Sequence, residues 1–141
     1  MRRRLFKRKW QRAMSLIEIL IATMVFVVAL GAVLSSIFAT LYIIDTSRQQ
    51  SVAVSDLRNV MERIRSTPFS NMLTTFTAGT IDGPATNRYA SIVGGYTLVN
   101  EHITVTYTDV TADPLEIRAA LTWQDSRGRA QTVAFSTFKT R

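Results

Sequence analysis

Few side chains in this 141-residue chain could carry chemistry, and most of those are isolated. Cysteine is absent, which excludes disulfides, thiolate metal sites and cysteine nucleophiles. His102 is the single histidine, and it falls on the threonine-rich face of its predicted strand. No second histidine or cysteine could join it in a transition-metal site, so we interpret it as solvent-exposed. Asp109 and Asp113 flank a turn, where a capping role is favoured and calcium binding is the alternative. The sequence predicts no catalytic residue, no resident metal and no cofactor.

Glu18 is the titratable residue whose position is hardest to explain. It stands at the start of the stretch 19–44, which has no charged residue in 26 positions, whereas about 20 apolar residues suffice to cross a bilayer. A carboxylate costs about 2.5–3.5 kcal/mol near the centre of a bilayer and less toward its edge. Glu18 is therefore either an interfacial side chain that reaches the headgroups, or a charge with a specific partner.

The positive charge of the chain is concentrated at one end. The net charge is +7, with 17 basic and 10 acidic residues, and the seven basic residues that precede Ala13 account for the whole excess. A terminal excess of this kind does not make a basic domain surface, so no nucleic-acid partner is expected. Because it flanks an apolar segment, it predicts a single membrane span with a cytoplasmic N-terminus and an extracytoplasmic C-terminal domain.

The residues AMSLIEILIA, at positions 13–22, resemble the processing site of the type IV pilin and pseudopilin superfamily. In that family a Thr-Leu-Ile-Glu run follows the cleavage site closely. Leu16, Ile17 and Glu18 match the run, and Ser15 stands where threonine is common. The basic leader, the long uncharged segment and the polar C-terminal region provide the context that a short motif needs.

The resemblance implies a processing reaction and a partner for Glu18. A prepilin peptidase would remove the leader, residues 1–13, by cutting between Ala13 and Met14, and the Met14 amine would be methylated. Ala13 replaces the family's usual glycine and Met14 its usual phenylalanine. The family further implies that the Glu18 carboxylate meets the N-terminal amine of an adjacent subunit and sets the axial register of a filament. The partners are then the prepilin peptidase and methyltransferase, other pilin or pseudopilin subunits, and the inner membrane.

Other interpretations of the N-terminal region remain open at this stage. The chain could be a plain single-pass anchor that presents a small binding domain. Secretory signals are the other alternative, with Ala29-Leu30-Gly31 as a cleavage site or Arg3-Arg4 as part of a twin-arginine motif. The uncharged segment is longer than the roughly 7–15 apolar residues that such signals use. An enzyme is the least favoured class, because no nucleophile, base and stabiliser occur together.

The helix predicted from the apolar segment continues into an amphipathic half. Apolar residues recur there at spacings of three and four: Val54, Leu57, Val60, Met61 and Ile64. Pro68 should end the helix, which gives one helix over residues 14–66 with a transmembrane or filament-core half to residue 44 and an amphipathic half from 45 to 66. The alternative is a break near Asp45, Thr46 and Ser47, because such residues favour caps and turns.

The rest of the chain predicts a small β domain. Residues 67–95 form a connecting loop with at most one short element, and alternating apolar residues in 96–141 predict an antiparallel sheet of three to four strands. The optional fourth strand is placed at residues 96–99. Tyr107 and Trp123 are interpreted as sheet-face residues, with a ligand platform as the alternative. The fold class is α+β and pilin-like, with the amphipathic half of the helix covering the apolar face of the sheet.

Overall fold

A computed structural model describes residues 15–141. The predicted leader and both proposed cleavage residues, Ala13 and Met14, lie outside the described residues. The chain is α+β, and its helices are Leu16–Ser66 (α1), Phe69–Thr75 (α2) and Ala90–Val93 (α3). Its strands are Ile81–Asp82 (β1), Val99–Tyr107 (β2), Leu115–Gln124 (β3) and Ala130–Lys139 (β4).

Helix α1 is continuous over 51 residues, so the predicted alternative of a break near residue 45 is wrong. The polar side chains that suggested the break bond within the helix. The Thr46 hydroxyl donates to the Tyr42 carbonyl at 3.0 Å, and the Gln49 amide donates to the Asp45 carboxylate at 2.9 Å. Bonds of this kind satisfy polar groups one turn away without disturbing the backbone ladder.

The part of α1 up to Leu41 forms a unit of its own. It is long and apolar enough to cross a membrane, and none of the most apolar window of 18 residues is buried within the chain. Large side chains such as Met24 and Phe38 are more than 60% exposed. An apolar surface of this extent requires lipid or other helices to cover it.

The second unit, Tyr42–Arg141, contains a four-stranded antiparallel sheet with the strand order β1-β2-β3-β4. Each strand pairs with its neighbour in sequence, and Ala119 of β3 lies between Val105 of β2 and Phe135 of β4. The antiparallel sheet predicted from the alternation in residues 96–141 is confirmed, with three of its four strands in that range. Every second residue of β3 is buried, from Leu115 to Trp123.

Two local predictions need correction. The fourth strand is β1, and residues 96–98 form no strand but lead into β2. The predicted connecting loop, 67–95, contains α2, α3 and β1 instead of a single short element. Asp82 explains much of the difference, because its carboxylate organises the backbone of this region through hydrogen bonds that sequence periodicity does not reveal.

The amphipathic half of α1 covers the apolar face of the sheet, as predicted. Leu57, Val60 and Ile64 are completely buried in one cluster with Ile117 and Leu121 of β3. Burying a side chain of this size stabilises a fold by about 1.5–3 kcal/mol relative to leaving it in water. The stripe on α1 and the inner face of the sheet therefore make the core together.

The C-terminal end of α1 is fastened to the end of β4. The Lys139 ammonium donates to the carbonyl of Ile64 at 3.2 Å, to that of Arg65 at 2.9 Å, and to that of Thr67. The last carbonyls of a helix lack partners within the helix, and they carry its negative dipole end. The Lys139 ammonium supplies both hydrogen-bond donors for these carbonyls and a positive charge at the negative end of the dipole, so it caps α1.

Candidate functional site

The described part of the proposed processing motif forms the first turn of α1. The backbone N–H groups of Glu18 and Ile19 donate to the Ser15 carbonyl at 2.9 and 3.2 Å. The Ser15 N–H lies 3.4 Å from Glu18 Oε2, a long contact that resembles one half of a capping box. A carboxylate here is also favoured by the positive end of the helix dipole. Glu18 thus has a local role that the sequence interpretation missed.

The motif side chains beside Glu18 are exposed and apolar. Leu16 is 82% exposed and Ile17 is 65% exposed. Glu18 is exposed as well, and its contact with the Ser15 N–H is long and weak. The carboxylate is therefore accessible to a stronger donor, such as an amine at the start of the helix or on a neighbouring helix. Chemically, this site suits association with another chain or with lipid.

A second polar cluster joins α1 to the turn between β3 and β4. We call it the hairpin clasp, and it consists of Tyr42, Asp125, Arg127 and Arg129. Asp125 is 4% exposed, and its carboxylate accepts the Tyr42 hydroxyl at 2.9 Å and the Arg129 Nε at 2.9 Å. The Arg127 guanidinium lies 3.7 Å from the centre of the Tyr42 ring. The clasp fixes the tip of the hairpin against one turn of α1.

Asp125 also shapes the turn itself. Its Oδ1 accepts the backbone N–H of Arg127 at 2.9 Å and that of Arg129 at 2.8 Å. Two turns beyond Tyr42 on α1, the Gln49 side chain accepts the Trp123 indole N–H at 3.2 Å. Trp123, 4% exposed, is thereby shown to be a core residue with its polar atom bound to α1, as predicted for a sheet-face residue.

Asp82, at the end of β1, is a completely buried carboxylate. It accepts the backbone N–H groups of Arg88 and Tyr89 at 2.9 and 2.7 Å, together with the hydroxyls of Thr86 and Tyr96. Burial raises the pKa of this carboxyl, but the four hydrogen bonds outweigh burial and hold the pKa below its usual value. Asp82 is saturated with donors, so its role is structural.

We expect Asp82→Ala to destabilise the domain by about 3–4 kcal/mol, because it leaves several buried donors without an acceptor. The measurement is urea unfolding of the full chain in detergent, followed by the fluorescence of buried Trp123. Asp109→Ala is the matched control, since Asp109 holds the N–H and hydroxyl of Thr111 in an exposed turn. Equal losses in the two variants would contradict the structural role of Asp82.

Asp56 of α1 and Glu101 of β2 form a buried pair of carboxyl groups. Asp56 is 7% exposed and Glu101 is completely buried. Glu101 Oε2 accepts the backbone N–H groups of Thr97 and Leu98, each at 3.0 Å, whereas Glu101 Oε1 is buried without a partner in residues 15–141. Burial, and then the nearby charge of Glu101, raise the pKa of Asp56 to about 6.

The other predicted residues lie apart from these clusters. His102 is exposed, which confirms the interpretation. Asp109 caps its own turn, through Thr111, and Asp113 lies 3.3 Å from the Arg141 N–H. Tyr107 is half-buried against the core, and its hydroxyl donates to the Phe76 carbonyl at 2.6 Å. Within residues 15–141 there is no group of three or more His, Asp or Glu side chains that could hold a metal ion.

One open groove, of about 780 Å³, lies beside α1. It is bounded by the C-terminal turns of α1, the end of α2 and the region of α3, and its charged lining residues are Glu62, Arg63 and Arg88. Comparisons with protein-family models, with curated proteins and with solved structures found no match to this chain.

Proposed function

We propose that this chain is the precursor of a minor pilin or pseudopilin, a structural subunit of a type IV pilus or of a type II secretion pseudopilus. The observation that supports it most directly is the division of α1. One continuous helix presents an apolar, unburied first part and then an amphipathic part that packs on a four-stranded sheet. The motif around Glu18 stands at the beginning of that helix.

The proposed assembly follows from the surfaces of the helix. The exposed apolar part rests in the inner membrane before assembly, and it packs against the equivalent parts of other subunits in the filament. The positive leader holds the N-terminus in the cytoplasm, where the prepilin peptidase cuts after Ala13. The new Met14 amine would then stand four residues before Glu18 in sequence. The Met14 amine of one subunit can pair with the Glu18 carboxylate of an adjacent subunit.

An anchor that presents a binding domain is the second candidate function. The groove of about 780 Å³ favours it, because Arg63 and Arg88 bring two positive charges to an open surface of the folded domain. Such an anchor would keep its N-terminal segment and would remain a single membrane-bound chain.

Processing discriminates between the two candidates. We expect the intact mass of the full chain to fall by the mass of the leader, residues 1–13, when it is produced with an active prepilin peptidase, and to remain unchanged with an inactive peptidase. Ala13→Gly, which restores the family's usual residue, is the matched control and should be cut at least as completely. If neither form loses the leader, the filament proposal fails and the anchor is favoured.

A further inference from the structure

The hairpin clasp stands at the end of the apolar segment of α1. Tyr42 belongs to the uncharged stretch 19–44, and the two residues that follow it, Ile43 and Ile44, are 65% and 59% exposed. The clasp fixes the turn between β3 and β4 to α1 at Tyr42 through the buried Asp125 carboxylate. Whatever surrounds Ile43 and Ile44 therefore also lies beside the hairpin tip.

The length of the apolar segment sets the depth of the clasp in a membrane. At a rise of 1.5 Å per residue, a hydrocarbon core of about 30 Å takes about 20 helical residues. Counted from Ile19, these end near residue 38. A headgroup layer of roughly 6 Å takes about four residues more and ends near Tyr42. Tyrosine is also enriched at this level of membrane proteins.

The clasp carries the chemistry that binds phosphate. Both arginines are on the exposed turn, and the Arg129 side chain is 57% exposed although its Nε contacts Asp125. Arg127 stacks on the Tyr42 ring, and within residues 15–141 no carboxylate forms an ion pair with its guanidinium. Of the nearby acids, Asp125 is buried and Asp45 is bonded to Gln49. Guanidinium groups bind phosphate oxygens through paired, charge-assisted hydrogen bonds.

We propose that the hairpin clasp is a lipid-docking surface, which rests on the bilayer and binds the phosphates of anionic phospholipids through Arg127 and Arg129. This inference rests on the membrane insertion in the proposed function, but it does not require cleavage or filament assembly. Docking would hold the folded domain against the membrane before the subunit is extracted. Electrostatic attraction of arginine to an anionic bilayer is short-ranged and weakened by salt.

The absence of cysteine allows a direct test with one label. The full chain with Ser126→Cys carries a bimane on the hairpin tip, and Val110→Cys carries it on the turn between β2 and β3, at the opposite end of the sheet. Each is reconstituted into phosphatidylcholine vesicles, with or without phosphatidylglycerol, that contain a headgroup spin-labelled lipid. We expect about twofold stronger quenching at position 126 with phosphatidylglycerol, and weaker quenching in high salt.

Two arginine variants separate docking from folding. Arg127→Gln together with Arg129→Gln should abolish the effect of phosphatidylglycerol. Arg127→Gln alone should reduce it while leaving the bonds of Asp125 intact. Arg118→Gln, an exposed arginine on β3, is the matched control and should change nothing. Equal quenching in both lipids, or quenching at position 126 no greater than at 110, overturns the proposal. If the protein docks on the vesicles but a prepilin peptidase never cleaves it, the filament proposal is overturned and the docking proposal stands.

Discussion

Glu18→Ala is expected to be cut by the prepilin peptidase as completely as the unmodified chain, yet to be at least about tenfold depleted from filaments. In the proposed filament the Glu18 carboxylate pairs with the amine of Met14 on a neighbouring subunit. Removing it leaves that amine without a partner in a low-dielectric bundle, which costs several kcal/mol. Loss of the contact with the Ser15 N–H adds only a few tenths of a kcal/mol, because this contact is long and exposed.

The measurement is quantitative mass spectrometry of sheared filaments and of membranes from the same cells. Thr23→Ala is the matched control, since its hydroxyl donates to the Leu20 carbonyl in the same helix at 2.9 Å. This variant removes a polar group from the apolar segment without removing a charge, so it should assemble normally. Recovery of Glu18→Ala in filaments at the level of Thr23→Ala would refute the pairing.

The second large effect is a dependence of stability on pH that comes from Asp56. Its pKa is raised from 3.8 to about 6 in the folded chain, so folding disfavours its ionised form. The contribution of Asp56 to the free energy of unfolding is therefore fully present below about pH 4. It decreases as the pH rises from 4 to 6, and it is lost above about pH 6. A change of two pKa units corresponds to about 3 kcal/mol in the free energy of unfolding. Protonation of Asp56 would also remove its charge repulsion with Glu101, which is the second cause of the raised pKa.

Urea unfolding of the full chain in detergent between pH 4 and 8 tests this expectation. Asp56→Asn should remove most of the slope, because the amide is neutral at every pH and keeps a hydrogen-bond donor. Glu62→Gln is the matched control, as an exposed carboxylate on the same helix, and should keep the slope. Below pH 4 the sign reverses, because Asp82 has a lowered pKa and its contribution is lost as it protonates. A flat profile in the unmodified chain would exclude a raised pKa for Asp56.

The sequence predicted the main elements because their patterns are periodic. The stripe from Val54 to Ile64 has the spacing of a helix face, and alternation from Leu115 to Trp123 has that of a strand with one buried side. Both apolar faces must be buried, and in the described domain the helix stripe and the inner face of the sheet are the two largest apolar surfaces. They are therefore expected to pack against each other. Periodicity and mutual burial together were sufficient to place α1 on the sheet.

The sequence did not predict the buried carboxylates. Glu101 alternates in step with Ile103 and Val105 along β2, which indicates an inward side chain. Asp56 lies three residues after buried Ala53 and four before buried Val60, which is the spacing of one helix face. These two positions could have been found by applying the period to charged residues as well as to apolar ones. Asp82 has no such signal, because its partners are backbone groups of a loop whose path depends on the carboxylate itself.

The residues of the proposed processing site depended on a motif instead of on periodicity. The role of Leu16, Ile17 and Glu18 in processing is assigned by resemblance to a family motif. The structure adds only that α1 begins at these residues. The hairpin clasp was not foreseen, since Asp125 and Arg129 alone indicate a turn. Their contact with Tyr42 depends on tertiary packing between segments far apart in sequence.

The two fastenings along α1 have a mechanical consequence for a subunit under tension. The hairpin clasp holds the sheet at Tyr42, and Lys139 holds it at the carbonyls of residues 64–67. A force along the helix axis loads both fastenings and the packed stripe between them in shear, at the same time. Contacts that are loaded in parallel share the force. Contacts that are pulled apart from one end of an interface break one after another. The helix can thus be pulled lengthwise without stripping the domain from it, and resistance is governed by the rate of unfolding of the whole domain.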